Sequence, residues 1–486
     1  MNHAQKTVGD RDMKNGLGRT TLAVVITFSF LIGNLAAQQK APVPQVLTPS
    51  TYRGSDSTTP VGQNSIGDYK WFELFQDPQL RNLIQTAVQN NYDLRSAVAR
   101  INVERANVGL ARSEQFPQFT GSADLTTIRN SGNGLLAGSA SANGKRSIGE
   151  VLLNLLTFEV DIWGRLRNQT RAARAELRAS EEDRKAVMTT VVSDVATNYF
   201  SLLELDSELD IAKRTLETRE NSLNLLKIRA DGGVATVLDV RQGEELVYQA
   251  SETIPDTERL IQQTENRINL LLGKNPGPIT RGVPLTKQKE LPEVPTGLPS
   301  SLLERRPDIR SSEENLAAQK FLISAAKAAY FPRITLTGFL GFQSNDLSNL
   351  FNGPSKAWSF VPEITQPLFT AGQLKSNVRF ARAEQELALT QYEQTIQTAF
   401  REVSDALIQY RKEKEIRTQQ ELLVATLRDR SDLAYLRYQG GVDTLLNALD
   451  SDRELFDAEL NLSQTKRNEL LSIVQLYKAL GGGWQQ

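Results

Sequence analysis

Apolar residues recur along most of this chain in steps of three and four, and in a few short stretches in steps of two. The longest helical pattern runs from Gly164 to Gly232. Within it Met188, Val191, Val195, Asn198, Leu202, Leu205, Leu209, Ala212 and Leu216 form a heptad seam with one polar member, Asn198. At the rise of an α-helix this segment would extend about 100 Å. A return helix leads to Leu272-Gly273, with a kink expected at Pro255. A second long helix begins at Gly372 and carries the seam Tyr392, Ile396, Ala399, Val403, Ala406 and Tyr410. Nearer the start, Asp77 followed by Pro78 reads as a helix N-cap, with Leu80, Leu83, Ile84, Ala87 and Val88 behind it. A further helix is expected over 94–112, stopping before Phe116-Pro117.

After Pro117 the period changes to two. Phe119, Gly121, Ala123 and Leu125 alternate with Thr120, Ser122, Asp124 and Thr126. Alternation returns in Leu156, Phe158, Val160 and Ile162 against Thr157, Glu159 and Asp161. It recurs in Ile334, Leu336, Gly338, Leu340 and Phe342, and in Trp358, Phe360, Pro362 and Ile364. The expected strands are 119–127, 153–162, 334–343 and 358–366, paired as two hairpins, the first with a Gly/Ser loop at 131–144.

The chain repeats itself. RADGGVATVLDVRQ at 229–242 and RYQGGVDTLLNALD at 437–450 align at an offset of 208, pairing Gly232 with Gly440, Gly233 with Gly441 and Val234 with Val442. Each Gly pair interrupts a helical pattern and reads as a tight turn between antiparallel helices. Before the hairpins the offset is 215, as Phe331-Pro332 answers Phe116-Pro117, so the first hairpin holds about seven extra residues, most simply in its loop. The expected division is a signal peptide 1–37, an extended leader 38–67, a first repeat 68–273, a Pro-rich linker 274–300 and a second repeat 301–486.

Composition narrows the chemistry. The net charge of −1 gives no bulk attraction to nucleic acid. There is no Cys, and the single His, His3, lies in the expected signal, so thiolate and histidine chemistry are excluded from the mature chain. Lys6, Arg11, Lys14 and Arg19 precede an apolar core, 22–35, and the small residues Leu35-Ala36-Ala37 offer a cleavage site. An uncleaved anchor is the alternative. No other apolar run is long enough to span a membrane as a helix, so any spanning is by strands. GSASANGKR at 138–146 departs from a phosphate loop in spacing and has Arg146 in place of Ser/Thr. No pairing of carboxylates reads as catalytic. The expectation is no enzyme activity, no cofactor and no metal.

Four strands of about ten residues suit a membrane barrel but cannot close one, since the smallest have about eight. An open edge is not tolerated in lipid, so several chains must share the barrel. A small soluble sheet beside a coiled coil is the alternative.

The residues resemble the TolC-type outer-membrane efflux channels, in the branch that is usually lipidated. The resemblance spans about 71–484. It rests on Trp71 to Leu80 with Asn91-Tyr92-Asp93-Leu94, LLERRPDI at 302–309, Pro367-Leu368-Phe369-Thr370-Ala371-Gly372, the 437–450 tip, and YKALGGGW at 477–484. It implies an internally duplicated α+β membrane protein: a homotrimer sharing one 12-stranded β-barrel in the outer membrane, continued by an α-helical coiled-coil barrel in the periplasm. It implies docking on a periplasmic adaptor and an inner-membrane transporter, with drugs or other small molecules leaving through the tube. An outer-membrane channel for type I protein secretion is the alternative on the same fold. Lipidated members carry Cys after the Leu-Ala-Ala-like stretch, where this chain has Gln38. The family narrows at its periplasmic end, which makes Leu446, Asp450 and Asp239 gate candidates, with Asp443 a helix-terminal carboxylate. An Asp450 ring would attract cations and need compensation from a cation, a proton or a neighbour such as Gln242. Gly232, Gly233, Val234, Gly440, Gly441 and Val442 are the expected adaptor-docking tips.

Overall fold

The computed structural model describes residues 48–49, 51–53, 65–129, 145–288 and 299–485. The expected signal, Gln38, most of the leader and the 131–144 loop lie outside the described residues.

Helix α1 (Pro78–Asn90) starts where the Asp77-Pro78 pair places it, and α2 (Tyr92–Ser113) follows after Asn91. Strands β1 (Phe119–Arg129) and β2 (Lys145–Glu159) lead into α3 (Arg165–Asp231) and α4 (Val237–Leu271). The order then recurs: α5 (Pro307–Ala328), β3 (Arg333–Ser344), β4 (Lys356–Thr365), α6 (Gln373–Gln439) and α7 (Leu445–Ala479). The two long helices have 67 residues each and the two return helices 35 each. Pro255 lies within α4.

The four strands form one antiparallel sheet in the order β1-β2-β3-β4. Helices α2, α3, α5 and α6 pack side by side in the matching order, because each strand joins one of them directly. The return helix α4 packs on α3, and α7 packs on both α6 and α3. The seam of α3 is buried from Met188 through Leu205, with Asn198 and Leu209 half-buried.

The second strand corrects the sequence reading. It starts at Lys145 and ends at Glu159, short of Ile162. Leu155 pairs with Gly338 but Phe158 with Leu336, so β2 carries one extra residue in a bulge. One extra residue reverses the phase of alternation. Upstream of the bulge it is Val151, Leu153 and Leu155, not Leu156, that share a face with Phe119 and Ala123. β2 has 15 residues against 10 in β4, so the surplus of the first hairpin is not confined to its loop.

With that register one sheet face is apolar across all four strands. Phe119, Leu125, Leu153, Leu340, Trp358, Phe360 and Ile364 lie on it, each more than half exposed. The other face carries most of the polar residues, Thr120, Ser122, Asp124, Asn154, Glu150, Gln343, Thr337 and Glu363, among the apolar Ile128, Leu152, Phe339 and Val361. Asn154 donates to Ser122 at 2.9 Å and Gln343 to Glu150 at 3.0 Å. Among the described residues no helix is long and apolar enough to cross a membrane. The sheet has the one-sided polarity that lets strands do so, lipid on one face and water on the other.

Asp77 ties distant parts of the chain together. Its carboxylate accepts from the Gln79 and Leu80 N–H groups at 2.8 and 3.4 Å, capping α1. It also accepts from the Tyr199 hydroxyl at 2.9 Å, the Val283 N–H at 3.0 Å and Gln288 Nε2 at 3.2 Å. Gly282 passes so close that a Cβ there would clash with the Asp77 carboxylate. Burial raises the affinity of this carboxyl for a proton, but Val283, Tyr199, Gln79 and Gln288 together outweigh it and hold Asp77 below the usual carboxylate range. Its stabilisation is therefore present above the ordinary carboxylate pKa and lost as pH falls through the depressed one. Asp77→Ala leaves several buried donors without an acceptor and is expected to cost about 2–4 kcal/mol. Thermal unfolding should show that loss at neutral pH and a smaller one in acid; an equal loss at both would mean packing, not charge, is what Asp77 supplies.

Candidate functional site at the helix-hairpin tips

Both tips are built by the same backbone device. At the first, Gly232 closes α3, Gly233 has φ +73°, its N–H bonds the Ala230 carbonyl at 3.0 Å, and the Val234 N–H reaches back to Arg229 O at 2.8 Å. At the second, Gly441 also has φ +73°, with Gly441 N–H to Tyr438 O at 3.0 Å and Val442 N–H to Arg437 O at 3.1 Å. These paired bonds satisfy the last carbonyls of each long helix, and the left-handed residue they require is glycine in both. Val234, Val237, Leu238, Val442 and Leu446 stand around these turns, each at least 60% exposed. Large apolar side chains held in water at a hairpin end are what a contact surface requires.

The return helices begin differently. Thr236 caps α4 in a reciprocal box: Asp239 N–H donates to Thr236 Oγ1 at 3.2 Å, and Asp239 Oδ2 accepts from the Thr236 N–H at 2.7 Å and its hydroxyl at 2.8 Å. Asp239 is thus engaged in capping. Thr444 makes no such side-chain bond at α7. There Asp443 accepts from Thr444 N–H at 2.8 Å, Asn447 Nδ2 at 2.7 Å and Arg437 Nε at 3.0 Å. The Arg437 guanidinium first, then the Asn447 amide and Thr444 N–H, hold the Asp443 carboxyl below the usual range.

Asp450 is not an isolated carboxylate. Arg453, one turn on, donates to it, and Arg430 of α6 lies 3.7 Å away while also binding Glu454. Two guanidiniums against two carboxylates make this cluster neutral, and both arginines come from this hairpin. Leu446 lies one turn before Asp450, 60% exposed. Leu226, Leu246, Leu445 and Leu449 form the core just behind the tips, with Tyr438 against it.

Above that core is a buried ion pair that the sequence reading did not single out. Arg219 Nε donates to Asp452 Oδ2 at 2.7 Å and Nη1 to Leu246 O at 2.9 Å, and the guanidinium lies 4.9 Å from the Phe456 ring centre. Their side chains are 2% and 10% exposed. This contact joins α3, α4 and α7 at one point. Burial and then Asp452 push the nearby Tyr435 hydroxyl of α6 up to about 12. A signal was present: Arg219 continues the α3 seam one step beyond Leu216, and Asp452 lies between Leu449 and Phe456 on the buried stripe of α7. A charge on an apolar seam needs a partner on the facing helix.

Among the described residues no group of acidic or His side chains is placed to hold a metal ion.

The profile of the outer membrane efflux protein family matches residues 83–274 and again 298–482. The chain is 38% identical over 413 residues to the solvent efflux pump outer membrane protein SrpC of Pseudomonas putida, covering 85% of this chain and 87% of that one. It is 34% identical over 472 residues to the antibiotic efflux pump outer membrane protein ArpC of the same species, covering 96% of each. Among solved structures it resembles the open state of the Neisseria gonorrhoeae MtrE outer membrane channel, with a TM-score of 0.82 at 30% identity over 92% of this chain and 98% of that one.

Proposed function

The chain belongs to the outer membrane efflux protein family, and on that premise we propose that three copies assemble a passive exit duct, a shared 12-stranded barrel in the outer membrane continued by a helical tube in the periplasm. The carrying observation is that both layers end at the same pair of edges. The sheet is open at β1 and β4, and the helical layer at α2 and α6, which adjoin those strands. Val98, Val103 and Leu110 of α2, and Phe380 and Leu387 of α6, are exposed there. Each copy thus offers one edge to the next, a head-to-tail interface that closes as a ring and removes every strand edge from lipid. A shared cycle of α2 and α6 edges carries the wall of the tube on past the barrel.

The duct works by conduction, not by catalysis. Its tips, Gly232-Gly233-Val234 and Gly440-Gly441-Val442, dock a periplasmic adaptor, which joins it to an inner-membrane transporter. The two relatives differ in what their names say they export, solvents in one and antibiotics in the other, so the fold supplies the exit route and the transporter selects. Mass measurement in detergent should give three chains, and deletion should raise sensitivity to drugs or solvents. A stable monomer would sink the shared barrel, and unchanged sensitivity with a missing secreted protein would favour type I secretion.

The gate in this reading is Leu446 with Asp450, with the capping carboxylate Asp239 of the first tip as a further candidate. Three Leu446 side chains around one axis narrow the end by excluding water. Because Asp450 is matched by Arg453 and Arg430, its removal frees positive charge. Leu446→Ala with Asp450→Ala is expected to raise single-channel conductance in planar bilayers, and Asp450→Ala alone to shift reversal potentials away from cations. A double variant that conducts and selects like the parent would place the gate elsewhere.

A further inference from the structure

We propose that Glu204 and Glu208 of α3 form a proton-binding site that holds one proton between two carboxyl groups and so joins α3 to α7. Glu204 is 2% exposed. Its Oε2 accepts from Arg467 Nη1 of α7 at 3.2 Å. Among the described residues its Oε1 is enclosed and has no donor. Glu208, one turn along the same helix, reaches α7 as well, accepting from Gln464 Nε2 at 2.9 Å through Oε1. An ionised carboxylate only accepts hydrogen bonds. Among the described residues, the enclosed oxygen of Glu204 gains a partner when one of the two carboxyls carries a proton, which turns a repulsive pair into a hydrogen-bonded one.

The surroundings do not supply the missing positive charge. Arg467 directs Nε and Nη2 to Asn468 at 3.3 and 3.1 Å, leaving Nη1 for Glu204. The same guanidinium also acts on Glu413 of α6, which burial pushes above the usual carboxylate range. On α3 itself, Asp206 is engaged with Arg281, which also binds Glu265 of α4. One guanidinium, on α7, is thus shared by Glu204 of α3 and Glu413 of α6. Burial first, then Glu208, raise the Glu204 carboxyl to about 8 against the pull of Arg467. The folded protein accordingly keeps a proton that the unfolded chain releases near the ordinary carboxylate value. The stability tied to it is fully present in acid and is lost as pH rises through about 8.

The test is the thermal unfolding midpoint of the detergent-solubilised assembly as a function of pH, with infrared detection of protonated carboxyl. The parent midpoint should fall as pH rises through about 8, and a carboxylic C=O band should be present at neutral pH. Glu204→Gln, whose amide donates to Glu208 without a proton, should flatten that fall and remove the band. Glu208→Gln should move the fall to lower pH, because burial alone then opposes Arg467. Superimposable profiles for the parent and Glu204→Gln, or a band that Glu204→Gln leaves unchanged, overturn the proposal. If Glu204→Gln does not assemble, an unshifted fall in Glu208→Gln overturns it.

Discussion

Asp452→Ala is expected to destabilise the protein by about 3–5 kcal/mol, the usual cost of leaving a buried charge without its partner. Arg219 is 2% exposed at its side chain, so water cannot replace the lost carboxylate without opening the helix contact. Its Nε would have no acceptor, and only Leu246 O, at 2.9 Å from Nη1, would remain. The loss should be local as well as global, because this guanidinium is shared by α3, α4 and α7 just above the tips. Thermal unfolding should record the first, and proteolysis near the tips the second. Arg219→Met combined with Asp452→Leu is the decisive companion: removing both charges and filling the space should recover most of the loss. If Asp452→Ala unfolds like the parent, the pair is not buried in the assembled protein.

Much of this architecture was legible because its cues are local. A Gly pair interrupting a helical pattern announced each tip, and both proved to be the same left-handed helix stop at Gly233 and Gly441. Asp77-Pro78 announced α1. What escaped was set by partners far along the chain. The phase of β2 failed at a bulge, which adds one residue without changing composition. Asp450 read as an unmatched carboxylate because Arg430 reaches it from another helix; Arg453, three residues on, was the cue within reach. No local cue marks Glu204, and the approach of α7 is what encloses one of its oxygens. Side chains that decide charge states are fixed by helix-to-helix register, which a period of three and four does not specify.

A tryptophan at Gly440 is expected to leave the trimer assembled and to abolish export. The two glycines of this tip are not equivalent. Gly441 has φ +73°, so any other residue there strains the backbone by about 1–2 kcal/mol even though no described residue lies within 4 Å of the added Cβ. Gly440 has φ −73°, and a Cβ there would meet only the Leu436 and Arg437 carbonyl oxygens at 3.5 and 3.6 Å, ordinary contact distances. Bulk at Gly440 therefore perturbs the tip surface without disturbing the turn that forms it. That surface is small side chains, bare backbone and the exposed Val442, which a docking partner must approach closely. An indole there would hold the partner away by several ångströms, enough to remove a packed interface. Gly440→Ala is the control and should export normally. Survival on toxic compounds, recovery of the adaptor with the channel, and mass in detergent are the three readings. Loss of the first two with three chains retained fits docking at the tip, whereas normal survival with Gly440→Trp would move the docking surface up the sides of the helices.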